Sequence, residues 1–283
     1  MTEYNSRRAK AHVVTSDEAP RGCVLSVEPQ IAHREFLDGN KEVDCVIVKL
    51  YHARTLSNRG QNAESYFGPE VTVITTSTFH DSRLRDWSWE DERDTVLEFQ
   101  PDFHIPTDYP VYWDYTPSQR LRNTRKCMKG LLWMVGELIE KDIAVIPLLK
   151  GLTTEERKVC YNVFQHLGVE YCAFYGTQYF TSGEGFRMLH RDINSIVSEA
   201  PGLDLLVIGC LAPTNISELP SQVVAASGLN QWRKNVKLRD VPAKRSQELF
   251  LEFKGQVEEA FESGQAPLSL WTNEAVMEDM IHG

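Results

Sequence analysis

Short β-rich runs of apolar residues alternate with amphipathic segments along most of the chain. Several of these runs are apolar at consecutive positions, as in CVIVKLY and LDLLVIG, rather than at alternate positions. Continuous apolar runs are typical of parallel strands that are buried on both faces. Eight runs of this kind lie at residues 23–27, 45–51, 71–76, 102–107, 143–149, 171–176, 203–209 and 222–227.

Helix signals fall between most of the runs. Thr116-Pro117-Ser118-Gln119 is a capping box with proline at the first helical position, and it predicts a helix to about Glu140. Thr153 predicts a second helix that Gly168 ends. Strands that alternate with helices indicate an α/β fold with a parallel sheet, and eight repeats favour a (β/α)₈ TIM-type barrel. Residues 52–70 and 210–221 carry no clear helix pattern.

No repeat or low-complexity tract divides the chain, so we expect one domain. Its 283 residues, 42% of them hydrophobic, suffice for a full core. We place an N-terminal arm at residues 1–22, the barrel at residues 23–240, and a C-terminal helix with an acidic extension at residues 241–283.

The charge balance, a net of −10, is not that of a general nucleic-acid binder. It is uneven, however. Residues 256–283 hold six acidic side chains and no Lys or Arg, whereas residues 232–254 hold seven basic and three acidic ones. A solvated face explains such runs more often than a ligand does.

Six single cysteines without zinc-ligand spacing are expected to be small buried thiols in a reducing compartment. The N-terminus lacks an apolar signal core, and no apolar run reaches membrane-spanning length. We therefore expect a cytoplasmic location and no membrane partner. Neither a dinucleotide fingerprint nor a phosphate-loop motif is present, and we predict no cofactor and no metal.

The most informative stretch is residues 95–110, TVLEFQPDFHIPTDYP. A helix end leads through Pro101 into a short apolar strand, and Asp108 follows between Pro106 and Pro110. In strand-then-helix proteins, chemistry is placed at the carboxyl ends of strands. Asp108 is therefore a candidate site residue, with an ordinary surface turn as the alternative.

This stretch resembles the tRNA-guanine transglycosylase family, particularly its archaeal-type members, and the resemblance extends over residues 71–239. It implies that Asp108 hydrogen-bonds the edge of a guanine-type base. Lys150, followed by Gly151, stands where the family has glutamine and glycine. Gly176, followed by Thr177, stands at the family's glycine pair, whose backbone groups contact the base. Ordinary strand-to-helix turns are the alternative at these positions.

The family's covalent chemistry has no clear counterpart. Its Asp-Ser-Gly pattern falls on Thr76 and Ser77, which we assign to base binding. Its nucleophilic aspartate falls on Ala226 or Ser227, and its cysteine-rich zinc site is missing. Asp81 is the nearest carboxylate that could join Asp108 as a catalytic group. Either the acid–base set has been rebuilt or the activity has been lost.

Nucleic-acid contact is predicted after the last strand. Basic residues beside an aromatic ring suit phosphates and an unstacked base. Phosphate groups also commonly bind near the final strands of such barrels. The candidates for these contacts are Gly209, Ser227, Trp232, Arg233 and Lys234. A second basic run, Arg120, Arg122, Arg125 and Lys126, is equally consistent with a solvated helix face.

The leading hypothesis is a transglycosylase-like protein that exchanges or binds a guanine or 7-deazaguanine base on tRNA or DNA. Because it is small and lacks the zinc module, the chain resembles the DNA-modifying branch of the superfamily more than its tRNA-modifying enzymes. Whether it is an enzyme stays open. One alternative is a non-catalytic paralogous subunit that keeps the base pocket and assists a partner subunit. Another is a barrel enzyme acting on a small phosphorylated substrate. If the fold is a barrel, Asp108, Lys150, Gly176 and Gly209 should all face the same open end of it, because each ends a predicted strand.

Overall fold

The computed structural model describes residues 13–78, 87–181 and 185–264, and it shows an α/β protein built on a curled parallel sheet. Nine strands form this sheet. They are β1 (Gly22–Val27), β2 (Cys45–Lys49), β3 (Thr72–Thr76), β4 (Phe103–Ile105), β5 (Ala144–Val145), β6 (Leu148–Leu149), β7 (Tyr171–Tyr175), β8 (Asp204–Ile208) and β9 (Val223–Gly228). Every predicted run contains a strand, and the predicted α/β class is confirmed.

The strands lie in the order β5-β4-β3-β2-β1-β9-β8-β7-β6, and each pair is parallel. The predicted run at residues 143–149 forms both edge strands of the sheet, β5 and β6, because Ile146 and Pro147 interrupt it. Its first half pairs with β4 and its second half with β7. The sheet is a TIM-like half-barrel rather than the continuous ring of eight paired strands that the sequence predicted.

Helices cover the connections between strands. They are α1 (Ile31–Leu37), α2 (Leu50–Ser57), α3 (Ala63–Phe67), α4 (Trp89–Phe99), α5 (Pro117–Glu137), α6 (Thr154–Leu167), α7 (Gly185–Glu199), α8 (Pro213–Ile216), α9 (Asn230–Asn235) and α10 (Ala243–Gly264). None of the helices in the described part of the chain is long and apolar enough to cross a membrane.

The predicted helix signals are confirmed. The side chain of Thr116 accepts a hydrogen bond from the backbone N–H of Gln119 at the start of α5, and the reciprocal half of the capping box is present. Thr153 caps α6, which ends at Gly168 in a left-handed conformation. The region 52–70 nevertheless contains α3 and most of α2. There a capping box between Asn62 and Ser65 begins α3. This helix has no long apolar pattern from which it could be predicted.

Two apolar cores lie on the two faces of the sheet. Along β2, Val46 and Val48 pack in the core beneath the helices, whereas Cys45 and Ile47 belong to a second cluster on the other face. That second cluster takes residues from every strand, and its members include Val24, Ile74, Ile105 and Ile208. A curled sheet explains this cluster, since side chains from distant strands meet only on a concave face.

The C-terminal helix α10 packs across α1, α8, α9 and β1. Phe250, Phe253 and Val257 are buried on its inner face, which confirms the predicted amphipathic helix. The acidic extension from residue 265 lies outside the described residues. Five of the six cysteines are buried, and all six are unpaired thiols.

Candidate functional site

A cavity of about 200 Å³ opens at the carboxyl ends of the strands. It is lined by the last residues of β1, β2, β3, β7, β8 and β9 and by the loops that follow them. Because parallel strands end at one edge, this is the position that barrel enzymes use for ligands. The polar lining residues include Lys49, Thr76, Tyr175, Thr177, Asn230 and Gln231.

Gly209 lines this cavity, and Gly176 lies at the end of the neighbouring strand. Gly209 has φ +105°, and a Cβ atom there would lie 2.3 Å from the Thr177 Oγ1. Only glycine therefore lets the loops after β7 and β8 approach each other. The backbone N–H of Gly209 donates to the Ser227 carbonyl at 2.6 Å, and that of Gly176 donates to the Ile208 carbonyl at 2.7 Å. The Gly176 N–H therefore has a partner within the sheet, and its predicted contact with a base stays a prediction.

Thr76 and Ser77, predicted together as base-binding residues, point to different places. The Thr76 side chain lines the cavity, where its Oγ1 lies 2.8 Å from the Thr78 Oγ1. Ser77 instead donates a short hydrogen bond to the buried carboxylate of Glu92. Adjacent residues of an extended chain project to opposite sides. Thr76 thus stays a candidate for ligand contact. Ser77 does not line the cavity and instead binds Glu92.

Asp108 and Lys150 form a buried ion pair. The Lys150 Nζ donates to the Asp108 Oδ1 at 2.7 Å, and the two side chains are 9% and 7% exposed. Burial acts to lower the pKa of Lys150, but the charge and hydrogen bond of the Asp108 carboxylate outweigh it, so that this pKa is raised. The lysine is therefore charged at neutral pH and balances the carboxylate.

The pairing changes the predicted roles of both residues. Asp108 was expected to offer its carboxylate to a base edge, but Lys150 occupies one of its oxygens. Neither side chain lines the 200 Å³ cavity. Lys150 instead borders a smaller hollow of about 10 Å³ with Tyr175, a residue that lines both spaces. Asp108, Lys150, Gly176 and Gly209 all follow strand ends at one edge of the sheet, but of these four only Gly209 lines the cavity.

The loop that carries Asp108 is held by a buried network around Glu92 of α4. The Glu92 carboxylate accepts hydrogen bonds from the Thr107 backbone N–H at 2.8 Å and pairs with the His104 Nε2 at 2.9 Å. Thr107 has φ +43°, which is unfavourable for a β-branched residue. Such strain persists only where the surroundings enforce it. The network thereby fixes the turn that directs Asp108 toward Lys150.

A second network fixes the loop after β6. Gly151 has φ +120°, and a Cβ there would lie 2.8 Å from the Arg157 backbone nitrogen. The Arg157 guanidinium donates to the Gly151 and Leu152 carbonyls and pairs with Glu199 at 2.6 Å. Burial acts to raise the pKa of Glu199, but hydrogen bonds from Arg157, Thr154 and Tyr161 outweigh it and lower this pKa to about 2. Gly151 is therefore a loop-shaping residue.

The predicted nucleic-acid group after the last strand is only partly accessible. Trp232 is fully buried, and its indole N–H donates to the Ser26 carbonyl at 2.9 Å. Its ring packs on His33 and Phe36, so it is a core residue and is not placed to stack on a base. Arg233 lies 3.7 Å from Glu28, whereas Lys234 is exposed.

Ser227 is also buried, and its hydroxyl has no hydrogen-bond partner among the described residues. It pairs in register with Val24 and Ile208, which belong to the inner core. Its side chain therefore faces the interior of the curled sheet, next to Gly228 at the cavity wall. Asp81 lies outside the described residues.

The chemistry available in the cavity is hydrogen bonding and stacking. Among the described lining residues, Lys49 is the only charged side chain, and there is no carboxylate. The described residues also contain no group of three His, Cys, Asp or Glu side chains that could hold a metal ion.

Four lining residues were not predicted from the sequence: Lys49, Tyr175, Asn230 and Gln231. Two of them, Lys49 and Tyr175, lie near the ends of the predicted apolar runs 45–51 and 171–176 and are the last residues of β2 and β7, so their position near a strand end was the available signal.

A comparison with protein-family models found none that matches this chain, and a comparison with curated proteins found no match either. The fold and the site therefore define the class: an α/β protein with a TIM-like curled sheet and a polar cavity at its strand ends.

Proposed function

We propose that this chain is a tRNA-guanine transglycosylase-like protein that binds a guanine or 7-deazaguanine base, either free or carried by tRNA or DNA. The observation that carries the proposal is the lining of the 200 Å³ cavity. Asn230 and Gln231 bring amides that both donate and accept hydrogen bonds, as the edge of a guanine requires. Tyr175 and Phe180 bring aromatic rings on which a flat base stacks.

The resemblance in residues 95–110 supports the same class of ligand. We infer a full (β/α)₈ barrel as the parent architecture, in which residues 143–149 form one strand interrupted by Pro147. Asp108 then has an altered role. It holds Lys150, while the amides at the cavity supply the contacts to the base edge.

Binding without exchange is the form of the proposal that the site favours. Exchange of a base on a sugar requires a nucleophile at the anomeric carbon, and the family uses a carboxylate. The described lining residues offer hydroxyl, amide and ammonium groups but no carboxylate. The protein would then act as a base-binding subunit that assists a catalytic partner in the cytoplasm.

The phosphorylated-substrate alternative has less support. It relied on backbone groups near Gly209 and Gly228 to hold a phosphate. The N–H of Gly209 already donates to the Ser227 carbonyl. A phosphate in this loop would have to displace that bond, so the neutral base is the better match.

Calorimetry on the full chain tests the proposal, with guanine and 7-deazaguanine as ligands and cytosine as a control. Gln231→Leu removes a cavity amide and should weaken binding by about 1–3 kcal/mol, since a buried donor or acceptor of the base loses its partner. Gln165→Leu, an exposed change on α6, should leave affinity unaltered. Equal affinities for guanine and cytosine would refute selective binding of a guanine-type base. Incorporation of labelled guanine into tRNA or DNA by the protein alone would refute the non-catalytic form.

A further inference from the structure

The first four turns of α5 carry a dense group of exposed cations. Arg122, Arg125, Lys126 and Lys129 are all exposed, and we call these four residues the basic face. Their spacings of three and four residues place them along one stripe of the helix. From Pro117 to Trp133 this helix contains no acidic residue. In a protein with a net charge of −10, this is an unusual concentration of one sign.

The cations of the basic face are not neutralised within the described structure. Arg120, at the inner side of the same helix, pairs with the buried Glu156 at 2.8 Å. Arg122, Arg125 and Lys129 have no such carboxylate among the described residues. The Lys126 Nζ lies 4.7 Å from the centre of the Tyr109 ring, a contact that leaves its charge unbalanced.

This arrangement destabilises the helix on its own. Like charges three and four residues apart repel each other, and cations in the first half of a helix oppose its dipole. A plain solvated face would intersperse both signs, as α10 does with Arg245 and Glu248. An uncompensated stripe is the pattern expected of a surface that meets an anionic partner.

Aromatic side chains lie beside the basic face. The loop after Asp108 runs along α5, where the Asn123 amide donates to the Pro110 carbonyl at 2.6 Å and Arg120 donates to the Tyr115 carbonyl at 2.5 Å. The next part of this loop exposes Trp113, which is 53% accessible and thus unusually open for its size. An exposed indole in a loop that contacts this basic helix suits an unstacked base beside its phosphates.

We propose that the basic face and Trp113 form a binding surface for single-stranded nucleic acid. Arg122, Arg125, Lys126 and Lys129 contact the phosphates, and Trp113 stacks on one base. The surface continues the loop that carries Asp108, so a strand bound there passes beside the mouth of the curled sheet. It extends the proposed function, but it does not require that the cavity bind guanine. It also replaces the predicted patch after the last strand, whose Trp232 is buried.

Charge reversal on the full chain tests this surface. The probe is a labelled oligothymidylate, which contains no guanine, so that failure of the cavity to bind guanine does not affect the result. Arg122→Glu with Arg125→Glu should weaken binding at least tenfold at low salt. It should also reduce the slope of log affinity against log salt by roughly 1.4, at about 0.7 for each lost phosphate contact. If this variant fails to fold, Arg122→Gln with Arg125→Gln should reduce the slope in the same way.

The matched control is Lys41→Glu with Lys244→Glu, which makes the same change in net charge at two exposed lysines elsewhere. Its affinity should stay within about twofold of the parent protein, because no phosphate contact is lost. Equal losses in both double variants would overturn the proposal, because net charge alone would then explain them. A loss confined to the control would also overturn the proposal, because the phosphate contacts would then lie outside the basic face.

Trp113→Ala separates stacking from charge. Binding of the single strand should weaken by about tenfold, while binding of a duplex of equal length should change little. Loss of affinity for both forms to the same extent would contradict the stacking role. Vesicles containing phosphatidylserine are the final comparison. If they bind through Arg122 and Arg125 while oligothymidylate does not bind, the surface is a membrane contact and the proposal fails.

Discussion

The ammonium nitrogen of Lys150 lies 2.7 Å from a carboxylate oxygen of Asp108, although 42 positions separate the two residues in sequence. The pairing of β4 with β5 and the short step from β5 to β6 bring them together. Both side chains are more than nine-tenths buried. The ion pair thus joins two loops at the edge of the sheet where the cavity opens.

The first prediction concerns this pair. Asp108→Asn or Lys150→Met alone should lower the free energy of unfolding by about 3–5 kcal/mol, because each leaves one buried charge without its partner. The double variant should lose less than the sum of the two single losses, since it leaves no isolated charge. Denaturant unfolding of the four proteins in this cycle measures both effects. Strictly additive losses would mean that the two residues do not stabilise each other.

The second prediction uses two glycines of one helix. A Cβ at Gly130 would lie 2.5 Å from the Thr107 Oγ1 and Cγ2, whereas a Cβ at Gly136 would have nothing within 4 Å. Gly136→Ala should stabilise the protein by about 0.4–1 kcal/mol through reduced freedom of the unfolded chain. Gly130→Ala should cost about 1–3 kcal/mol from overpacking, which exceeds that gain.

Thermal unfolding of both glycine variants tests this contrast. Gly130→Ala should also displace the turn at Thr107 and so weaken the contact between Asp108 and Lys150. A stabilising effect of Gly130→Ala would show that the turn at Thr107 can move away at little cost in free energy. The positive φ of Thr107 would then not be enforced by α5.

The fold was largely predictable because its signals are local. Consecutive apolar runs identified every strand, and the Thr116 and Thr153 caps identified the starts of α5 and α6. The break at Ile146–Pro147 was not predicted. Proline lacks the N–H that a continuous ladder needs, so this run forms two short strands in place of one.

The candidate site was predictable only in position. The rule that chemistry follows strand ends selected Thr76, Gly176 and Gly209, yet the partners of the two glycines, Ile208 and Ser227, lie on other strands. Nothing local indicates that Lys150 neutralises Asp108. Likewise, Trp232 appears beside basic residues in sequence, but its ring turns inward to Ser26 of a strand some two hundred positions away. Pairings of this kind depend on how the strands are arranged, which local patterns do not encode.

The last prediction concerns acid stability. The hydrogen bonds that hold Glu199 lower its pKa from 4.5 to about 2. A carboxylate with a depressed pKa contributes stability that is complete above its unfolded pKa and is lost as the pH falls through the folded one. The contribution of Glu199 should therefore be full from pH 7 to pH 5 and should decline from pH 4.5 toward pH 2.

Glu199→Gln measures that contribution. At pH 7 this variant should unfold with a free energy lower by about 1.5–3 kcal/mol, the usual loss when hydrogen bonds to a charged group are removed, because Arg157, Thr154 and Tyr161 lose the carboxylate that they contact. The difference from the parent protein should narrow below pH 4.5, where the parent loses the same contribution by protonation. Glu170→Gln, at an exposed position, serves as the control and should track the parent at every pH. A difference in unfolding free energy that stays constant down to pH 3 would show that Arg157 does not hold Glu199 as an anion. The loop of Gly151 would then depend on Arg157 and the two carbonyls it contacts, without the carboxylate.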